Sequence, residues 1–332
     1  MSAGLDVLVT EPVMARFADT LTRDGTTPHR WTFAVGSAGP TVDQVRRSDV
    51  LVCSSASPNL LAAAERLRLL HVTGAGYDKV PLDSLSPDVV VANTFHHGRS
   101  IAEHVMMVSL MLLRRVLVSE RDMRAGVWKN AMVDEGMPFG GTIAGLTVGI
   151  IGFGEIGMEV ARLAQAMGLR SRTVRRNPHA PLPDDLRVDW VGGEGRLEEL
   201  LAASDIVVVT VPLDERTRGL VGARALAAMK PSALLVNVAR GAVVDEHALH
   251  QALSDRAIAG AALDVWWRNP GDPDAPPPSH LDFTGFDNVV ITPHQSGHTR
   301  NTFLGRARDV ADNVDALAAG RPLRNVVRGP GS

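Results

Sequence analysis

Short runs of apolar and β-branched residues recur along the first third of the chain. They stand at residues 7–9, 50–52, 69–72 and 89–91. Helix-like sequence separates the runs, for example at residues 59–66. Strands that alternate with helices in this way predict a parallel sheet with helices on its faces.

A helix that follows this first block marks a change of domain. Ser100-Ile101-Ala102-Glu103 has the Ser-x-x-Glu spacing of a capping box, and apolar sequence continues from it to about Val118. We therefore predict a helix over residues 100–118 and a crossover between two domains at its start.

A second α/β block runs from about residue 147 to residue 293. Strands are predicted at residues 147–152, 170–174, 206–211, 234–238, 260–265 and 288–292, and helices at 155–168, 197–203 and 245–253. Residues 268–279 are rich in proline, which cannot donate to a strand ladder, so they predict a surface loop. A helix predicted at 299–317 has no strand of its own nearby, and we expect it to return to the first block.

Composition places the chain among globular proteins of about two domains. It has 332 residues, of which 45% are hydrophobic and 21% charged. The longest apolar run, residues 105–113, is too short for a membrane span, and the amino terminus lacks the features of a signal peptide. A net charge of −3 gives no reason to expect nucleic acid or a membrane as a partner. The single cysteine, Cys53, excludes a disulfide framework, and we expect a cytoplasmic protein.

The sharpest motif is a glycine-rich turn between a strand and a helix. Gly152, Gly154 and Gly157 follow the strand at 147–152 in the spacing Gly-x-Gly-x-x-Gly. The first glycine permits the tight turn, the second lets a pyrophosphate approach the backbone, and the third lets the helix pack on the sheet. We expect the pyrophosphate to bind the backbone N–H groups of Glu155 and Ile156 at the positive helix end.

The end of the next strand indicates which dinucleotide binds. NAD-type sites place an acidic residue there to bind the ribose 2′-hydroxyl, whereas this chain has Arg175 and Arg176. Two arginines would attract a 2′-phosphate, so NADP(H) is favoured and NAD(H) is possible. The alternative is a solvated basic loop in a chain rich in arginine.

Two further residues stand at the carboxyl ends of predicted strands, where open α/β sheets bind ligands. Arg240 follows the strand at 234–238, and its guanidinium could hold a carboxylate and polarise an adjacent carbonyl. His294 follows the strand at 288–292 and could pass the proton that accompanies a hydride. His298 lies four residues beyond His294, but without a further ligand at metal-binding spacing we expect no metal site.

Several motifs in order give the chain its resemblance to a known family. They are the fingerprint and residues 74–78, 93–104, 237–241, 262–265 and 292–294. With them the chain resembles the D-isomer-specific 2-hydroxyacid dehydrogenases, which include glyoxylate/hydroxypyruvate reductases and phosphoglycerate dehydrogenases.

The resemblance implies an α/β fold of two doubly wound parallel-sheet domains. A Rossmann cofactor domain, residues 100–298, would be inserted into a flavodoxin-like substrate domain made of residues 1–99 and 299–332. The active site would lie in the cleft between them. Such enzymes are usually homodimers paired through their cofactor domains.

The resemblance also assigns roles to residues. Backbone groups of Ala75 and Gly76 would hold the substrate carboxylate together with Arg240, and Asp264 would meet the nicotinamide amide. The remaining residues expected to contact the cofactor are Val211, Pro212, Val238, His294 and Gly297. These roles imply an oxidoreductase that transfers a hydride between NADP(H) and a small 2-oxoacid or D-2-hydroxyacid.

One departure from the family pattern keeps a second function open. The family usually has a glutamate before a proline, bonded to the catalytic histidine, where this chain has Asn269 before Pro270. Asparagine can orient the imidazole but carries no charge to stabilise its protonated form. The alternative is therefore a catalytically weak, dinucleotide-sensing binding protein of the corepressor type. The adjacent Trp266 and Trp267 would narrow the cleft or simply pack in the core.

Overall fold

A computed structural model describes residues 4–23, 27–37, 39–77, 79–268 and 277–330. Its strands are β1 Asp6–Val9, β2 Arg30–Phe33, β3 Val50–Cys53, β4 Leu69–Val72, β5 Val90–Ala92, β6 Thr147–Ile151, β7 Arg170–Val174, β8 Trp190–Gly192, β9 Ile206–Val209, β10 Leu234–Asn237, β11 Gly260–Leu263, β12 Val289–Ile291 and β13 Val326–Arg328. Its α-helices are α1 Pro12–Ala15, α2 Ala18–Arg23, α3 Val42–Arg47, α4 Pro58–Ala62, α5 Gly98–Leu113, α6 Val116–Arg124, α7 Glu155–Ala166, α8 Leu197–Ala203, α9 Ala223–Ala227, α10 Glu246–Ser254 and α11 Arg300–Ala318. Short 3₁₀ turns lie at Leu82–Ser84, Glu194–Arg196 and Gly241–Val243.

The chain forms two compact units. The first unit contains residues 1–96 and 298–332, and the second contains residues 97–297. The boundaries between the units fall after His96 and after Gly297. The sequence predicted them after residue 99 and after residue 298.

The first unit is built on one six-stranded sheet. Its strand order is β13-β5-β4-β3-β1-β2, and every pair is parallel except β13 with β5. The five parallel strands have the flavodoxin-like order. Alternate residues of the inner strands enter two hydrophobic clusters, so that Val50 and Val52 belong to one and Leu51 to the other. The C-terminal helix α11 adds Val310 and Val314 to the first of these clusters, as the sequence predicted.

The second unit is built on a seven-stranded parallel sheet. Its order is β12-β11-β10-β9-β6-β7-β8, which is the Rossmann order with β12 added at one edge. Alternate residues again enter two clusters, for example Val207 in one and Val208 in the other. A sheet buried on both faces explains the continuous apolar runs in the sequence. The predicted fold class, two doubly wound parallel-sheet domains of the Rossmann and flavodoxin-like kinds, is confirmed.

The predicted helix over residues 100–118 was wrong at both ends. Helix α5 begins at Gly98, and Ser100 lies inside it, where its Oγ donates to the Ser296 carbonyl (2.9 Å) instead of capping the helix. It ends at Leu113 because Arg115 adopts a left-handed conformation (φ 51°), and α6 begins at the next residue. The helix predicted at 59–66 is the shorter α4, which begins at Pro58 after the cap residue Ser57.

Candidate functional site

One edge of the second unit gathers most of the residues that the sequence selected. The glycine turn follows β6, Arg240 follows β10, Asp264 follows β11 and His294 follows β12. Val211 and Pro212 follow β9, while Val238 directly follows β10. Because these strands are parallel, their carboxyl ends meet at the same edge of the sheet.

The glycine turn has the geometry of a dinucleotide cradle. Gly152 has φ +94°, and a Cβ there would lie 2.7 Å from Val211 Cγ1. A Cβ at Gly157 would collide with the Gly152 carbonyl oxygen, so helix and turn approach more closely than any side chain would allow. At Gly154, the N-cap of α7, a Cβ would meet no atom within 4 Å. The turn therefore leaves open space in front of a helix N-terminus, which fits a bound pyrophosphate.

The two arginines after β7 are placed differently from each other. The Arg175 guanidinium lies over the Phe153 ring (5.9 Å to the centroid) and donates to the carbonyls of Pro178 (3.3 Å) and Ala180. It therefore folds back onto its own loop. Arg176 is exposed, and its guanidinium lies 3.8 Å from Glu194 Oε1 and 3.7 Å from Asp214 Oδ2.

Arg240 stands on a turn that the buried Asn237 organises. Asn237 Oδ1 accepts from the Ala239 N–H and its Nδ2 donates to the Arg240 carbonyl, both at 3.1 Å. The 3₁₀ turn Gly241–Val243 follows, and Gly241 packs against the backbone of Trp266 and Trp267 without room for a side chain. The sequence interpretation included Asn237 in a motif but assigned it no role, although an asparagine that ends a fully apolar strand is the available signal.

His294 is exposed and adopts a left-handed backbone conformation, with φ 55°. A non-glycine residue in that region is uncommon and costs conformational energy, so it persists only where its surroundings fix it. The turn around it, residues 292–296, is held on both sides of His294 by hydrogen bonds to one carboxylate.

That carboxylate is Asp264, which is buried at the end of β11. It accepts from Thr292 Oγ1 (2.6 Å) and from the N–H groups of Gln295 and Ser296 (2.9 Å each). Burial raises the pKa of Asp264, but hydrogen bonds from Ser296 and Thr292 outweigh this effect and leave the pKa below its ordinary value. Asp264 is thus an ionised anchor of the His294 turn, and its contact with nicotinamide stays a prediction.

The residues expected to hold the substrate carboxylate lie in the first unit. Ala75 and the exposed Gly76 belong to the loop after β4, at the carboxyl edge of that sheet. Asn93, the residue after the neighbouring strand β5, fixes this loop because its Nδ2 donates to the Ala75 carbonyl (2.7 Å).

Some of the predicted features lie elsewhere or outside the described residues. Gly297 ends the second unit, next to His97 and Ile101. Asn269 and most of the proline-rich segment lie outside the described residues. Within the described ranges, no group of three or more His, Cys, Asp or Glu side chains could hold a metal ion. In that same part of the chain, no helix combines the length and the apolar character needed to cross a bilayer.

Comparison with known proteins adds to this geometry. Residues 106–296, more than half of the chain, match the D-isomer specific 2-hydroxyacid dehydrogenase, NAD binding domain. A glyoxylate reductase of Aeropyrum pernix is 36% identical over 81% of this chain and 78% of its own length. A D-3-phosphoglycerate dehydrogenase of Archaeoglobus fulgidus is 29% identical over 98% of this chain, which spans only 60% of that longer protein.

A solved structure has the same fold. The D-isomer specific 2-hydroxyacid dehydrogenase from Xanthobacter autotrophicus, in complex with NADPH and MES, superposes with a TM-score of 0.78. It is 28% identical, and the match covers 98% of each chain. From the glycine cradle, the strand-end residues and these likenesses it follows that the chain belongs to the D-isomer specific 2-hydroxyacid dehydrogenases, a family of NAD-binding oxidoreductases.

Proposed function

We propose that the protein reduces a small 2-oxoacid to the D-2-hydroxyacid, and catalyses the reverse oxidation, with NADP(H) as the preferred cofactor. The observation that carries this proposal is the placement of Arg240, Asp264 and His294 after three neighbouring parallel strands, at the same edge as the glycine cradle. That edge is where open α/β sheets bind their ligands.

Each of these residues has a separate task in the proposal. Arg240 binds the substrate carboxylate and polarises the neighbouring carbonyl, while backbone groups of Ala75 and Gly76 hold the same carboxylate. His294 donates a proton to the carbonyl oxygen, which becomes the hydroxyl of the product, and accepts it in the reverse direction. Asp264 keeps the His294 turn in place.

The glycine cradle and the turns after β9 and β10 would hold the cofactor. Gly152, Gly154 and Gly157 leave room for its pyrophosphate, which the Glu155 and Ile156 N–H groups would bind. Val211, Pro212 and Val238 would line the same edge. When bound, the cofactor supplies or takes the hydride. Exposed Arg176 supports a preference for NADP(H), because a guanidinium beside the adenosine ribose attracts a 2′-phosphate.

Steady-state oxidation of NADPH and NADH, with glyoxylate, hydroxypyruvate, pyruvate and bulkier 2-oxoacids, tests the proposal. Arg240→Ala should lower kcat/KM by about 100-fold or more and leave the Kd for NADPH unchanged, since Arg240 is assigned to the substrate. Arg240→Lys is the matched variant, which keeps the charge without the planar fork. Tight NADPH binding with no turnover of any 2-oxoacid would instead favour the binding-protein alternative. The names of the relatives, which are enzymes, do not support that alternative.

We also propose that the protein is a homodimer paired through its second unit. Residues 116–142 of that unit expose large apolar side chains, among them Trp128, Met132, Val133 and Phe139. Several exposed large apolar side chains within one segment are typical of a surface that another chain covers. A cytoplasmic location stays a prediction.

A further inference from the structure

Trp266 and Trp267 lie between the two turns that carry Arg240 and His294. They follow β11 two residues after Asp264, and both are partly buried. Their rings meet edge to face, with centroids 6.5 Å apart. Each indole N–H donates to a backbone carbonyl, but the two carbonyls belong to different turns.

Trp266 holds the turn of His294. Its Nε1 donates to the Thr292 carbonyl oxygen (2.9 Å), and the hydroxyl of the same threonine donates to Asp264. Thr292 stands two residues before His294, and the ring of Pro293 between them fixes one backbone torsion and so limits the freedom of the chain. The position of the imidazole therefore depends on where Thr292 is fixed.

Trp267 holds the turn of Arg240. Its Nε1 donates to the Val244 carbonyl oxygen (2.8 Å), at the end of the 3₁₀ turn that begins after Arg240. Within that turn the Val243 N–H donates to the Arg240 carbonyl (3.2 Å). The Trp267 ring is itself fixed by Phe283, which stacks on it at 5.3 Å with an interplanar angle of 15°.

We infer that the Trp266–Trp267 pair braces the active site, Trp266 positioning His294 and Trp267 positioning Arg240. The inference rests on the proposed function. Both residues are positioning residues, because they act through backbone turns and not through contact with reacting atoms. An indole suits this task, since its rigid ring has only two side-chain torsions and one N–H donor. A displacement of about 1 Å at a reacting group can lower the rate about 100-fold, so the loss of this support should change the rate measurably.

The test uses two matched substitutions, Trp266→Phe and Trp267→Phe, in the full-length chain. Each removes one N–H donor and keeps an aromatic ring. Trp266→Phe should lower kcat by about 10-fold or more with little change in the KM for the 2-oxoacid, because proton transfer depends on the His294 position. Trp267→Phe should raise that KM by a similar factor with a smaller effect on kcat. Neither should change the Kd for NADPH.

Thr292→Val provides an independent probe of the same turn. It removes the hydroxyl bond to Asp264 but keeps the branched shape, and it should reproduce the kcat effect of Trp266→Phe. Circular dichroism and thermal unfolding check that all three variants are folded. Equal effects of the two tryptophan substitutions on kcat and on KM, in folded proteins, would overturn the inference.

A second readout does not require turnover. The imidazole NMR signal of His294, assigned by its loss in His294→Gln, should move in Trp266→Phe and Thr292→Val but not in Trp267→Phe. An inactive wild-type enzyme would contradict the proposed function, while this pattern of shifts would still support the brace. An unmoved His294 signal in Trp266→Phe would overturn the brace even in an active enzyme.

Discussion

His71 is a fully buried histidine, and both of its ring nitrogens find hydrogen-bond partners only when the ring is neutral. Its Nδ1 lies 3.3 Å from the Val72 carbonyl and its Nε2 lies 3.0 Å from Asn313 Nδ2. Burial lowers the pKa of His71 to about 4, although the bond to Val72 and the charge of Asp309 oppose this. Below pH ~6.5 the unfolded chain binds a proton here that the native chain does not bind.

The free energy of unfolding should therefore fall as the pH falls from about 6.5 to about 4, with His71 contributing about 3 kcal/mol. His71→Gln keeps an acceptor for Asn313 and should remove this part of the pH dependence. Urea unfolding at a series of pH values measures it, and His179→Gln, at an exposed histidine, is the control. A wild-type dependence that persists unchanged in His71→Gln would contradict the assignment.

The pair Arg175 and Arg176 shows what the sequence predicts about a residue and what it leaves open. Two arginines at the end of β7 are visible in the sequence, but their roles depend on how the loop after them folds. Arg175 donates to carbonyls of residues 178 and 180, which no spacing rule predicts. Asn237 and Thr292 lie within motifs that the sequence showed, but they received no role for the same reason, since they act through hydrogen bonds that fix turns.

Arg176→Ser should weaken NADPH binding by about 10-fold or more and leave NADH binding nearly unchanged, because a charge-assisted bond to the 2′-phosphate is lost. Arg175→Ser should instead weaken the binding of NADPH and of NADH by similar factors, since it releases the loop that Arg175 holds. Fluorescence titration with each cofactor measures the two constants. Selective loss of NADPH binding in Arg175→Ser would reverse the assignment of the two arginines.

At the level of elements, the strands inside the two sheets were predicted, whereas three of the four strands at the sheet edges were not. The strand β7 and the helix α8 were predicted with the bounds that they have. The strands β2, β8 and β13 were missed. They have three or four residues each and stand at sheet edges, and none has more than two consecutive apolar residues, so their hydrophobic pattern is weak.

One side chain ties β13 to the segment that precedes β5. The Arg328 guanidinium donates to the carbonyls of Leu82 (2.8 Å), Ser86 (2.8 Å) and Val89 (3.1 Å). Arg328→Ala should lower the free energy of unfolding by about 2 kcal/mol, because it leaves partly buried carbonyls without a donor. Arg328→Lys should recover part of the loss. Chemical unfolding measures both, and an unchanged midpoint in Arg328→Ala would show that β13 does not need this clamp.

At the level of the whole molecule, the proposed dimer rests on exposed apolar residues of the second unit. Trp128 is 71% exposed and Phe139 81% exposed. We expect a molar mass of twice the chain mass of 35.4 kDa by light scattering. The double substitution Trp128→Ser with Phe139→Ser should shift the mass toward that of one chain, whereas Val42→Ser, at an exposed apolar residue of the first unit, should not. A wild-type mass of one chain would refute the proposal.

The discontinuous first unit has a consequence for how the protein is made. Its hydrophobic cluster needs Val310 and Val314 of α11, and the buried Asn313 bonds to His71 of β4. During synthesis the strands β1–β5 leave the ribosome about 200 residues before α11 does, because the whole second unit is translated in between. At a synthesis rate of ~5–20 residues per second, the apolar face of strands β1–β5 therefore stays without its covering helix for about 10–40 s. The second unit can fold on the ribosome during this interval. The first unit begins the chain but is the last to be completed.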